Sequence, residues 1–276
     1  FTHMGKKLGQ HFLKDAKKLK KIAEALEITP RDIVIEIGPG HGELTNFLLK
    51  ANPKKIIAIE KDARLVEFLN QKFQALNSEL QIVRGDALKV FTSGWNLESG
   101  NWKLAGNIPY YITGHLLRKI SELEKKPKLV VLTIQKEVAE RIAAQPPHTN
   151  LLAASVQFWG KPKIVGYISK KSFRPQPKVD SAIIKIISSP QFSHGGIKGI
   201  KVGKTVRAEE YYKFIKILFR QPRKTVMNNL REGLKLPQKE IEKRLQELNI
   251  SPDLRPANLS MSDINKLSAI FSDKRV

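Results

Sequence analysis

The chain has no cysteine among its 276 residues, which excludes disulfide bridges and thiolate metal sites and fits a protein kept inside the cell. It also lacks any run near the roughly 18 consecutive apolar residues that a membrane span needs, and no apolar signal region opens it. Acidic residues are scarce: 26 Asp and Glu stand against 49 Lys and Arg, a formal charge of +23. That excess is far more than solubility needs, so a polyanionic partner is expected, and the shortage of apolar runs favours nucleic acid over a membrane surface. The length allows one sizeable core and a small second domain. Phe1-Thr2-His3, ahead of Met4, read as a cloning remnant and are set aside.

A helical pattern over 15–26 places Leu19, Ile22, Ala23 and Leu26 on one face and Lys14, Lys17, Lys18, Lys20 and Lys21 on the other. Such a lysine run is either a solvated face or a phosphate-facing lip. From Asp32 onward, strand and helix patterns alternate. Strands are expected at 33–37, 55–60, 80–84, 102–105 and 129–134, with helices at 43–51, 63–76 and 113–123 between them. Single helices between strands imply right-handed crossovers and a mostly parallel sheet, whose ligand crevice lies beyond the C-terminal strand ends. Residues 92–101 read as a loop. Helical patterns at 136–144 and 150–158 flank a Pro146-Pro147 break, and strands at 164–168 and 182–187 finish the sheet. This gives a first domain over 4–190. The Gly-rich, basic stretch 191–206 reads as a hinge. Beyond it, helical patterns at 208–219, 223–230, 238–248 and 262–271 define a small domain, 207–276. From 191 to the end there are 18 Lys and Arg against 9 Asp and Glu, so this domain is expected to present a basic face to RNA. A helical cap that only buries the sheet edge is the alternative.

The strand ends carry the chemistry. After the first comes Glu36-Ile37-Gly38-Pro39-Gly40-His41-Gly42, whose glycines let the backbone turn tightly and approach a ligand closely. The dinucleotide fingerprint wants glycine where Glu43 stands, so a pyrophosphate cradle is poorly supported; a nucleoside joined to an amino acid suits the loop better. Glu60, 22 residues after Gly38, ends the second strand, where a carboxylate can accept both hydroxyls of a ribose. Asp86 follows the third strand, where it can accept from an adenine amino group. Either acid alone reads as well as a surface charge or a helix cap.

The fourth strand runs into Ala105-Gly106-Asn107-Ile108-Pro109-Tyr110-Tyr111. An exocyclic amino group on a flat base needs two acceptors and a face to stack on. Asn107 Oδ1 and the Ile108 carbonyl can accept, Pro109 stiffens the backbone, and Tyr110 can cover the base. The plainer reading is a strand-terminating turn with Tyr110 as core filler. Later, Phe173-Arg174-Pro175-Gln176-Pro177 forms a stiff extended loop that holds Phe173 either as a second aromatic face opposite Tyr110 or as a hydrophobic plug.

Leu8-Gly9-Gln10-His11-Phe12-Leu13, Glu36 to Gly42, Glu60, Gly85-Asp86, Asn107 to Tyr110 and Phe173 to Ser181 together give the chain a resemblance to the ribosomal RNA adenine dimethyltransferases over nearly its whole length. Residues 219–230 resemble the Phe-x-Gln-Arg-Arg-Lys-Thr-Leu segment of the small-subunit branch. Pro222 replaces its first arginine, which bears on one phosphate contact or on the helix start. His11 stands where many relatives have Asn.

The resemblance implies an α/β, Rossmann-like class I S-adenosylmethionine-dependent methyltransferase sheet with a small C-terminal all-helical domain. S-adenosyl-L-methionine would be the methyl donor and S-adenosyl-L-homocysteine the product. His11, Leu13 and Gly38 would touch the methionine portion, with Gly40 in the same loop; Glu60 would hold the ribose, Asp86 the cofactor adenine, and Asn107 both cofactor and target. The implied substrate is a pair of adjacent adenines near the 3′ end of small-subunit (16S) rRNA, each methylated twice at N6 during assembly of the small ribosomal subunit. The enzyme is expected to be cytoplasmic and monomeric, without a metal or a membrane partner. Because the sulfonium methyl is already activated, Asn107, Ile108, Pro109, Tyr110 and Phe173 would act by placement, and no general base is nominated. Three other readings remain at this point. One is a large-subunit rRNA adenine methyltransferase of the antibiotic-resistance type, against which Arg223-Lys224-Thr225 argues. Another is a non-catalytic RNA-binding assembly factor that keeps the fold. The third, a nicotinamide dehydrogenase, is disfavoured by Glu43.

Overall fold

Short runs of Ile and Val, too short for helices and too apolar for loops, become the strands. The structure is a computed structural model that describes residues 10–76, 78–90, 101–189 and 207–271. Residues 1–3, Leu8 and Gly9 of the first motif, loop residues 92–100 and the expected hinge at 191–206 lie outside the described residues. The first elements are β1 (Phe12–Leu13), α1 (Ala16–Ala25), β2 (Ile33–Ile37), α2 (Glu43–Lys50), β3 (Lys55–Glu60), α3 (Ala63–Lys72), β4 (Leu80–Arg84), α4 (Ala87–Val90), β5 (Trp102–Asn107), α5 (Thr113–Glu122) and β6 (Leu129–Gln135). There follow α6 (Lys136–Ala143), α7 (Leu151–Gln157), β7 (Gly160–Ile168), β8 (Phe173–Arg174), β9 (Ser181–Ser188), α8 (Ala208–Leu218), α9 (Val226–Leu234), α10 (Gln238–Glu247) and α11 (Met261–Phe271).

The described residues form two compact units, one drawn from Phe1–Ala139 with Pro162–Ser188, the other from Glu140–Lys161 with Ser189–Val276. The expected division assigned 140–161 to the sheet domain; in the structure these residues group with the helices. The reason is visible in α7 and its end. Phe158 stacks on Tyr211 with ring centroids 3.8 Å apart, and the Ala154 and Ser155 carbonyls accept from the Tyr211 and Tyr212 hydroxyls at 3.0 and 2.9 Å.

In the first unit the sheet has seven strands in the order β4-β3-β2-β5-β6-β9-β7. The run from β4 to β6 is parallel, and β9 lies antiparallel to β6. Chain order runs outward to β4 on one side of the β2–β5 junction and outward to β6 on the other. A sheet of this kind opens its crevice at that junction, beyond the C-terminal strand ends. Val34, Ile35, Leu104 and Val130 have no exposed surface, so the strands that frame the crevice are held on both faces. Two elements were not expected, the two-residue ladder of β1 with β8 and the single turn α4.

In the second unit the expected helix at 223–230 begins instead at Val226, because Thr225 Oγ1 accepts from Asn228 N at 3.2 Å and caps it. Pro222 therefore lies in the turn before α9 and does not interrupt it. The turn is stitched by buried Asn229, which donates to the Gln221 and Thr225 carbonyls and accepts from Gln221 N. Arg223 and Lys224 are left exposed on it.

At the crevice the backbones of β2 and β5 pack closely. Gly106 is in register with Ile37, and a Cβ there would stand 2.8 Å from the Ile37 carbonyl oxygen and 3.0 Å from Ile108 Cγ2. Gly106→Ala is expected to cost about 1–3 kcal/mol of stability, read as a lower denaturant midpoint at unchanged slope. An unchanged midpoint would mean that the strands part freely at this point.

Candidate active site

The tips of β2, β3, β4 and β5 border a common cavity through Ile37 and Gly38, Glu60, Asp86 and Asn107, and Glu36 is buried behind the first of them. At the end of β2, Glu36 is 1% exposed and accepts from Thr45 Oγ1 at 2.7 Å. Burial pushes its carboxyl up to about 8, helped by the negative charges of Glu43 and Glu60, against the opposing Thr45 bond. In the loop that follows, Gly40 has φ +61°, and a Cβ on it would come within 2.8 Å of the Phe12 ring, so only glycine lets β1 lie this close. Gly40 N donates to Glu60 Oε2 at 3.3 Å, while Glu60 Oε1 accepts from Lys61 N and Asp62 N at 2.8 and 2.9 Å. Glu60 is thus fixed through one oxygen, and the other carries only a long bond. Burial raises its carboxyl above the usual range, opposed by those backbone donors. After β4, Asp86 caps α4 by accepting from Leu88 N at 3.0 Å and pairs with Lys61 Nζ at 2.9 Å, which holds its carboxyl below the usual range.

At the end of β5, Asn107 Nδ2 donates to the His11 carbonyl at 2.8 Å. A carbonyl can only accept, so this bond sets the amide and leaves Oδ1 as the acceptor; nothing among the described residues donates to it. His11 Nδ1 lies 2.8 Å from the Pro175 carbonyl, which makes that nitrogen the N–H donor. The His11 and Tyr110 rings stand 5.9 Å apart at 31°, and the Tyr110 hydroxyl lies 2.7 Å from Ser181 Oγ. The cavity at these strand ends encloses about 920 Å³ of empty space, part of it open solvent at its mouth.

Of the residues nominated from the sequence, His11, Gly38, Gly40, Glu60, Asp86, Asn107, Ile108, Pro109, Tyr110 and Phe173 line it. Leu13 sits differently, and Phe173 takes one of the two placements open to it. Leu13 is 2% exposed and packed in the core, away from the cavity wall; what it offers is its backbone, paired with Phe173 across the β1–β8 ladder. Phe173 borders the cavity but has no exposed surface and belongs to the same core cluster, so in this conformation it acts as a plug rather than as an open stacking face. Gln10, Lys61, Tyr111 and Ile112 line the cavity without having been nominated. Their signal was adjacency: each neighbours a nominated residue in the sequence or lies within two positions of one.

A mostly parallel sheet with this strand order, a glycine loop after β2 and acids at the tips of β3 and β4 defines a class I, Rossmann-like methyltransferase. The family model for ribosomal RNA adenine dimethylase matches residues 2–273. The chain is 37% identical over 268 residues to ribosomal RNA small subunit methyltransferase A of Dehalococcoides mccartyi, covering 97% of this chain and 88% of that protein. It is likewise 37% identical over 264 residues to the protein of that name from Mycoplasmopsis pulmonis, covering 95% and 96%. Among solved structures, a dimethyladenosine transferase from Plasmodium falciparum matches with a TM-score of 0.75 and 30% identity, covering 93% of this chain and 96% of that one. The 23S rRNA methyltransferase ErmE, at TM-score 0.73 and 22% identity, covers 95% and 100% and shares the fold. The chain belongs to the ribosomal RNA adenine dimethylase family, whose methyl donor is S-adenosylmethionine. The cavity fits that donor: Glu60 at its wall keeps acceptor capacity where ribose hydroxyls would need it, and among the described residues nothing donates to Asn107 Oδ1.

Glu36 makes the fold pH-dependent. Unfolded, its carboxyl titrates near 4.5; folded, near 8. Between these values only the folded state holds the proton, so the stability it contributes is complete below 4.5 and is lost as pH rises through about 8. Glu36→Gln keeps the shape without the titration. Its stability relative to wild type is expected to rise between pH 5 and 8 by up to about 1.4 kcal/mol per pH unit in chemical denaturation. A pH-independent difference would show that Glu36 is not buried as a neutral acid.

Proposed function

We propose that this cavity transfers methyl groups from S-adenosylmethionine to the N6 amino groups of two adjacent adenines near the 3′ end of 16S rRNA. The enzyme would do so as a cytoplasmic monomer acting on the assembling small ribosomal subunit. The observation that carries the reading is the Asn107 amide, set by the His11 carbonyl so that Oδ1 is available at the cavity wall. His11, Gly38 and Gly40 would hold the methionine end of the donor, Glu60 the ribose and Asp86 the adenine. When bound, the donor supplies a methyl group already activated on a sulfonium.

The chain's own residues then have to prepare the amine. The lone pair of adenine N6 is delocalised into the ring and is poorly nucleophilic. Acceptance of its two N–H bonds by Asn107 Oδ1 and the Ile108 carbonyl draws the nitrogen toward a tetrahedral shape and localises that lone pair. Tyr110 covers the base, which must be unpaired or flipped out, and stacking offsets part of the few kcal/mol that unstacking costs. The reaction needs no side-chain base, because the proton on the newly methylated nitrogen is acidic and passes to water. The basic turn before α9, with Arg223 exposed and Lys224 paired to Glu232 at 2.8 Å, supports RNA binding by the helical unit.

Asn107→Ala is expected to lower methyl transfer by about 10²-fold or more while donor and RNA affinity change little. Tyr110→Ala should be similarly impaired; wild-type turnover in either would contradict the placement role. The decisive assay is transfer of labelled methyl groups to small subunits lacking the modification, with mapping of the product nucleosides. Reversal of Arg223 and Lys224 to Glu is expected to weaken RNA binding and lower its salt slope by about one for each phosphate no longer neutralised. An unchanged slope would leave the helical unit a purely structural cap.

A further inference from the structure

Tyr110 is held at both ends, and the two holds differ in stiffness. Its backbone stands on the short helical turn Tyr110–Ile112, closed by Ile112 N donating to the Pro109 carbonyl at 3.1 Å. Its hydroxyl lies 2.7 Å from Ser181 Oγ, and Ser181 has no exposed surface. Ser181 opens β9 in register with Gln135 of β6. The residue before it is tied down twice, with Asp180 Oδ1 accepting from Lys170 N at 2.9 Å and the Asp180 carbonyl from Lys136 N at 3.0 Å. The serine hydroxyl therefore belongs to the rigid sheet, and it fixes the far end of a ring whose near end sits on a turn. Burial raises the Tyr110 pKa, the Ser181 bond opposes this and the Asp180 charge adds to it, so the ring keeps its O–H.

We propose that Ser181 is a positioning residue for methyl transfer, setting the tilt of Tyr110 so that an incoming adenine meets a pre-formed face. This rests on the reading of Tyr110 as the cover of the target base. A ring already immobilised loses no rotamer freedom when the base arrives, and a misplacement near 1 Å is enough to slow transfer. The requirement is unequal for the two methylations. Unmethylated N6 offers two N–H bonds to Asn107 and Ile108; monomethylated N6 offers one. In the second transfer stacking carries more of the orientation, so loss of the Ser181 bond slows that step more than the first.

The test uses the full chain, single-turnover conditions at saturating donor, and small subunits lacking the modification, with mono- and dimethyladenosine quantified separately. Tyr110→Phe and Ser181→Ala remove the same bond from opposite ends. Each is expected to slow the second transfer about five- to tenfold, the first by less, and so to accumulate monomethyladenosine, with the donor Kd unchanged by calorimetry. The double variant should be no slower than the slower single, since one bond is lost in all three. A wild-type product ratio in Tyr110→Phe, or losses that multiply in the double variant, overturns the proposal. Should Ser181→Ala fail to fold, Tyr110→Phe alone decides on the product ratio. Tyr110→Ala separates the two levels: full activity there defeats the base-cover reading itself, whereas inactivity beside normal Tyr110→Phe and Ser181→Ala product ratios defeats only the role of Ser181.

Discussion

The hydrogen bond from Asn107 Nδ2 to the His11 carbonyl is the constraint on which the site depends. It gives the amide one orientation, and it joins the tip of β5 to a segment almost a hundred residues earlier. From there the connection continues through His11 Nδ1 to the Pro175 carbonyl, and through the β1–β8 ladder to Phe173 and Arg174. Three stretches distant in sequence are thereby tied around one cavity, each tie running from a side-chain N–H, of Asn107 or of His11, to a backbone carbonyl. Preorganisation of this kind suits a reaction in which the protein contributes placement rather than covalent chemistry.

Charges at the two ends of the sheet are treated in opposite ways. Ahead of β2, Asp32 is buried but has a cation for a partner: its Oδ2 pairs with Lys103 at 2.9 Å and accepts from Thr29 N and Oγ1 at 2.7 and 2.8 Å. At the C-terminal ends, among the described residues, Glu36 has a hydroxyl for a partner and Glu60 only backbone N–H groups. A carboxylate without a cation is costly to bury. Glu36 avoids that cost by keeping its proton, and Glu60, which lines the cavity, meets it with backbone donors alone; this asymmetry separates the functional end of the sheet from the structural one.

The sequence made the strands at 33–37, 55–60 and 80–84 legible to the residue, because each is a compact apolar run between polar breaks. Since crossover rules place ligands at strand ends, Glu60, Asp86 and Asn107 could be nominated from their positions alone. What stayed hidden depends on partners remote in the chain. The β1–β8 ladder and the α4 turn are too short to show a period. The burial of Leu13 goes with its pairing to Phe173 across 160 residues, and no local pattern encodes it, whereas for Phe173 the sequence left a plug and a stacking face both open. Residues 140–161 were assigned by their position between strands, yet the stacking of Phe158 on Tyr211 draws them to the helices. The cap at Thr225 moved the start of α9, which a hydrophobic period alone could not time.

Both carboxylate oxygens of Asp86 are already engaged, one by Leu88 N and the other by the Lys61 ammonium. Any ligand that draws on this acid has to share it with, or displace, an internal competitor whose grip is electrostatic and half exposed to solvent. Mobile ions screen such a pair and release the acid. Occupancy of this corner of the cavity should therefore be favoured by added electrolyte, while capture of a polyanion by a chain of charge +23 is opposed by it. The two ligands would respond to ionic strength with opposite signs, and their balance would shift with the medium without any change in shape.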